Sequence, residues 1–133
     1  MRFMVMVRAD ESTEAGDPPS REFAAAMARL NDEMAKAGVL LATDGLAPSS
    51  RGARITFAGD QRTVTDGPFT EAKEMIAGYA LLQVRSKEEA IEWASRMPFA
   101  GGEVVEIRQV FEASDFAPEH PIHDELKRRT AAP

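Results

Sequence analysis

Thr65-Asp66-Gly67-Pro68-Phe69-Thr70-Glu71-Ala72-Lys73-Glu74 separates a hairpin-like region from the most apolar run in the chain, and its reading decides how the two connect. Pro68 fixes its own φ at about −65° and pushes Gly67 out of the helical region, so the backbone must bend here with little freedom left to lose. Asp66 and Thr70 flank the bend with side chains able to hydrogen-bond nearby N–H groups. This predicts an Asx-turn at Asp66 and a short helix begun by Glu71, capped by Thr70 or Gly67. A bend this rigid would also aim Asp66, Thr70, Lys73 and Glu74 into a pocket, so turn and site are both open readings of the stretch.

Upstream of the bend, Arg54-Ile55-Thr56-Phe57 and Arg62-Thr63-Val64-Thr65 alternate with period two around Gly59-Asp60, which predicts a hairpin. Downstream, Ile76 to Val84 reads as a strand with Tyr79, Leu81 and Gln83 on one face and Ala80, Leu82 and Val84 on the other. Ser86-Lys87-Glu88-Glu89 is a capping box for a helix that turns Ala90, Ile91, Ala94 and Met97 inward and stops at Pro98. Trp93 sits beside that stripe as a packing residue at the core edge. Glu103 to Phe111 reads as the last strand, with Val105 and Ile107 opposite Glu106 and Arg108.

The N-terminal half repeats the order. Arg2 to Arg8 is apolar on both alternate faces, as expected of a central strand covered on two sides. Ala9 to Pro19 has the composition of an exposed, mobile connection. Ser20 then caps a helix whose Phe23, Met27, Leu30 and Met34 recur at helical spacing and read as core, with Gly38 as its stop. Val39 to Thr43 forms the next strand, and Asp44 to Gly52 a loop. Strand-helix-strand occurs twice, giving an α+β fold of the ferredoxin-like βαββαβ kind with an inserted hairpin. Both helices would cover one sheet face, leaving an apolar and semi-polar face that predicts a homodimer.

Composition bounds the function classes. A chain of 133 residues with 44% hydrophobic content makes one domain able to bury a core without metals or disulfides. A net charge of −6 and a pI near 5.0 disfavour nucleic acid, whose phosphates attract clustered Lys and Arg. Without cysteine there are no disulfides, thiolate nucleophiles or Cys-ligated metals, which fits a reducing compartment, with the cytoplasm as the default. The Phe3 to Val7 run is too short for a signal peptide, and no stretch approaches a membrane span.

Asp66-Gly67-Pro68-Phe69, with Thr70-Glu71-Ala72-Lys73-Glu74 and Ala77-Gly78-Tyr79, resembles the DGPF group of the YCII-related family. The resemblance continues through Ala90-Ile91-Glu92-Trp93-Ala94 and Met97-Pro98 to Val105-Glu106-Ile107-Arg108-Gln109-Val110. It implies a ferredoxin-like domain that pairs into a dimeric α/β barrel, from a bacterial family whose reaction is mostly unassigned. A His and Asp pair is suspected of catalysis in the wider family, the His early in the first helix and the Asp in the connection after the second. This chain has no histidine before His120, and Met97-Pro98-Phe99-Ala100-Gly101-Gly102 contains no aspartate, so that chemistry does not carry over.

The domain is expected over residues 1–112, with residues 113–133 as a polar tail holding a short helix. His120-Pro121-Ile122-His123 has His-x-x-His spacing, but Pro121 opposes a helix through both imidazoles, and neither a metal nor a cofactor is expected. Two functions follow. The first is a binder or enzyme for an unknown small molecule, in a pocket between the open sheet face and the Asp66 bend. Asp66 would be its general base or ligand anchor, Lys73 a cation, Thr70 and Tyr79 pocket groups, and Glu106 with Arg108 either ligand groups or an ion pair. The second, suggested by context of the resemblance, is a regulatory module associated with extracytoplasmic-function sigma factors.

Overall fold

The computed structural model describes residues 1–130, apart from the Lys73 side chain. The chain is α+β: strands β1 (Arg2–Arg8), β2 (Leu40–Gly45), β5 (Ile76–Gln83) and β6 (Val105–Gln109) form one antiparallel sheet in the order β2-β5-β1-β6. Strands β3 (Ala53–Ala58) and β4 (Gln61–Asp66) form a separate hairpin around Gly59, whose φ of 59° suits glycine at the turn. Among the described residues the α-helices are α1 (Glu11–Glu14), α2 (Arg21–Lys36), α3 (Lys87–Ala94) and α4 (Pro121–Thr130). The element order is therefore β-α-β, hairpin, β-α-β. Among the described residues no helix is long and apolar enough to cross a membrane.

The core lies between one face of the four-stranded sheet and the two longer crossover helices. Phe3 and Val5 of β1, Ala80 and Leu82 of β5, Leu30 and Met34 of α2, and Ala90 and Ala94 of α3 are all buried together. Alternation makes this face, since β1 and β5 put every second side chain into it. The opposite face carries Met4, Met6 and Leu81, which are only half-buried, so β1 is central but not fully covered on its second side.

Caps place the helices. Ser20 accepts from Phe23 N at 3.1 Å, and α2 ends with Gly38 at φ 76°, where Gly38 N donates to Ala35 O and Val39 N to Met34 O. At α3 the expected box is half-formed. Ser86 Oγ accepts from Glu89 N, but the Glu89 carboxylate accepts from Arg85 N rather than Ser86 N. Ile91 faces outward at 44% exposure, contrary to its expected place in the stripe, while the small Ala90 and Ala94 take the contact with the sheet. The expected mobile connection after β1 contains α1, with Asp10 and Thr13 closing a reciprocal capping box.

In the tail, α4 begins at Pro121, a first-turn position where a missing N–H costs nothing. Only His123 of the two histidines lies within it. Its Nδ1 sits 3.6 Å from Asp124 Oδ1, too long for a hydrogen bond, and is otherwise without a partner. Leu126 is buried, and Phe116 packs edge-on against Phe111.

Candidate functional site

The bend is held differently from the local chemistry expected of it. Among the described residues the Asp66 carboxylate has no hydrogen-bond or ion-pair partner; Asp66 is exposed and pairs with Ala53 across the hairpin. The short helix is a 3-10 turn over Ala72–Glu74 with Glu71 at its N-cap, and no side chain caps it. What fixes the bend is a distant residue. Ser49 Oγ accepts from Phe69 N at 2.9 Å and donates to the Glu14 carboxylate, which also accepts from Ser49 N at 3.0 Å. Gly67 N donates to Gly52 O at 3.0 Å, and the Gly67–Pro68 peptide is cis. The Arg54 guanidinium lies 3.8 Å from the Phe69 ring centroid and 3.7 Å from the Glu71 carboxylate. The run thus joins α1, the Ser49 turn and β3.

The other expected residues are spread around the molecule. The Thr70 hydroxyl donates to Glu71, and this bond, ahead of the backbone and Arg54, holds the Glu71 carboxyl below its ordinary value. Tyr79 OH donates to Asp44 Oδ2 at 3.2 Å, and that bond together with the Asp44 charge pushes the phenol up. Glu106 accepts from Arg8 at 2.8 Å and from Arg108 at 3.4 Å, and both guanidiniums hold its carboxyl below its ordinary value. Glu106 and Arg108 are therefore an ion pair on the sheet, joined by Arg8 from β1. No hydrogen bond or ion pair among the described residues links Asp66 to Thr70, Tyr79, Glu106 or Arg108. Lys73 lies on the 3-10 turn, and its side chain falls outside the described part.

A cavity of about 720 Å³ lies elsewhere, on the helix side of the sheet. Its inner wall takes Val7 from the end of β1, Phe23, Met27 and Asn31 from α2, and Met97 and Phe99 from the connection after α3. Phe23 and Phe99 pack with ring centroids 5.2 Å apart. Thr43, Gly45 and Gly78 form its floor, and Thr43 Oγ1 donates to Tyr79 O at 2.9 Å. The exposed residues Asp10, Asp17 and Glu103 also border it, as does Asp44, whose carboxylate lies with Tyr79 OH on the other face of the sheet. Asn31 leaves its buried Oδ1 with no donor. Among the described residues expected at a site, Tyr79 alone borders this cavity.

Sequence reasoning placed Phe23 and Met27 in the core with Leu30 and Met34, and the stripe divides. Leu30 and Met34 are buried and Met27 is half-buried, packing against the core while also bordering the cavity, whereas Phe23, nearest the start of α2, is half-buried and lines the cavity. The profile of the YCII-related domain matches residues 1–114. The chain belongs to the YCII-related family. It is also 34% identical over 59 residues to an uncharacterised protein of Rhizobium meliloti (strain 1021), covering 44% of this chain and 48% of that relative. The chain thus spans about half the length of that curated relative. In this YCII-related chain the cavity includes the start of the first long helix and the connection after α3, without a histidine in either.

Proposed function

We propose that this YCII-related domain binds a small organic molecule in the cavity between α2 and the sheet. The observation that carries the reading is a cavity of about 720 Å³ whose wall takes the apolar side chains of Val7, Phe23, Met27, Met97 and Phe99. Ligand sites are typically roughly 300–1,000 Å³ and built in this way. Among the described residues its lining holds carboxylates, hydroxyls and an amide but no imidazole or amine. Binding is therefore the function assigned, and any proton transfer would fall to a carboxylate.

A thermal-shift screen of small organic molecules tests this. A hit present at 100 times its Kd stabilises the wild type by about 2.7 kcal/mol. Phe99→Ala, which removes one wall, loses that shift, and Asp66→Asn keeps it. The opposite pattern places the ligand at the bend, where Asp66 and Lys73 would serve it, and sinks the cavity reading.

We also propose that two copies pair through the uncovered sheet face as a ferredoxin-like dimeric α/β barrel of the DGPF group. Half-buried Met4, Met6 and Leu81, with Leu41 at 48% exposure, support this, because such apolar area is normally covered. Light scattering at micromolar concentration gives the mass of two chains; a well-folded monomer contradicts the pairing. The second functional reading, a regulatory module that docks on a sigma factor, draws on the hairpin, where Ile55, Phe57 and Val64 are 55%, 67% and 63% exposed.

A further inference from the structure

We infer that the β3–β4 hairpin is an arm that clasps a second copy of this chain. The inference rests on the pairing through the open sheet face and adds the surface that completes that interface. Antiparallel register sets the two faces of the arm. Ala53 opposes Asp66, Ile55 opposes Val64 and Phe57 opposes Arg62, so these side chains share one face, while Arg54, Thr56, Thr63 and Thr65 take the other. On the first face Ile55, Phe57 and Val64 form an apolar strip, with the Arg62 guanidinium 4.5 Å from the Phe57 ring centroid towards the tip. Every residue of both strands is exposed, and the strands pack chiefly on each other. A two-stranded ribbon without further packing is only marginally stable in water. Its base is nonetheless fixed, because Gly67 N donates to Gly52 O where the strands end and Arg54 stacks over Phe69. The arm is held firmly at its root with its apolar strip bare.

Area selects the occupant. By register, the open sheet face supplies about a dozen side chains from β1, β2, β5 and β6, whereas a stable interface takes roughly 20–30 residues a side. Pairing of sheet on sheet alone therefore falls short by about half. A two-fold axis uses the arm twice, so each copy adds both its own strip and the surface that receives its partner's strip, which is about the amount missing. An arm that served a different protein would leave the dimer with half an interface.

Sedimentation equilibrium of the whole protein tests the arm. Phe57→Ser is expected to raise the dimer dissociation constant about hundredfold, since symmetry counts each lost contact twice, whereas Thr63→Glu on the opposite face leaves it unchanged. Both positions are exposed, so the circular dichroism spectrum stays native. The chain has no cysteine, and Val64→Cys therefore places a unique thiol on the strip. Its reaction with a small maleimide is expected to be several-fold slower above the dissociation constant than after dilution to monomer. A wild-type dissociation constant in Phe57→Ser, or equal thiol rates at the two concentrations, overturns the arm while the sheet pairing stands, and leaves the strip to a different protein. A wild type that stays monomeric at micromolar concentration overturns the pairing and the arm together.

Discussion

Gly67→Ala is expected to destabilise the domain by about 3 kcal/mol or more, the range in which overpacking becomes severe. A Cβ built at Gly67 would lie 1.8 Å from the Ser49 carbonyl oxygen and 2.6 Å from its carbonyl carbon. Both are backbone atoms of a turn that is itself tied to Glu14 and Phe69. The clash cannot be relieved by rotating a side chain. Gly67 does not have a positive φ, so its requirement is close approach rather than a left-handed conformation. Urea denaturation measures the loss, and a variant within about 0.5 kcal/mol of wild type shows that the Ser49 turn is not held against the bend.

Phe3→Ala is expected to cost about 3–5 kcal/mol by the same measurement. Phe3 is 1% exposed at the centre of the sheet and shares the core with Val5, Met34 and Leu82. Removing its ring loses burial and leaves a void that β1, paired on both edges, cannot close by shifting. A loss below about 1.5 kcal/mol means that the helix-covered face is not the main core.

The strands and long helices were legible because period-two and 3.6-residue patterns report which side of an element is apolar. Phe3, Val5, Ala80 and Leu82 alternate as that logic requires, and Ser20 and Gly38 mark α2 at both ends. The same logic reports only a face, not what stands opposite it. Phe23 continues the stripe of Met27, Leu30 and Met34, yet the core takes only the last three, and Phe23 meets a cavity that Met27 also borders. Ile91 was placed inward for the same reason, and two alanines displace it.

Long-range partners were the larger gap. Local chemistry assigned Asp66 and Thr70 to hold the bend, whereas Ser49 and Glu14 hold it from segments far off in the chain. The cavity likewise has no sequence motif. Val7, Phe23, Thr43 and Phe99 come from four separate segments, and only their assembly by the fold creates the cavity. The one available signal was the resemblance itself, which drew attention to the start of the first long helix and the connection after the second.

The central claim is that ligand enters this cavity rather than the open sheet face or the Asp66 bend. Methyl-labelled methionines read all three places at once: Met27 and Met97 line the cavity, Met4 and Met6 lie on the open face, and Met75 follows the bend. In a nuclear magnetic resonance titration with any hit from the thermal screen, the Met27 and Met97 methyl signals should move with saturable shifts while those of Met4, Met6 and Met75 stay in place. Saturable shifts at Met75, or at Met4 and Met6, with Met27 and Met97 unchanged, would contradict the account.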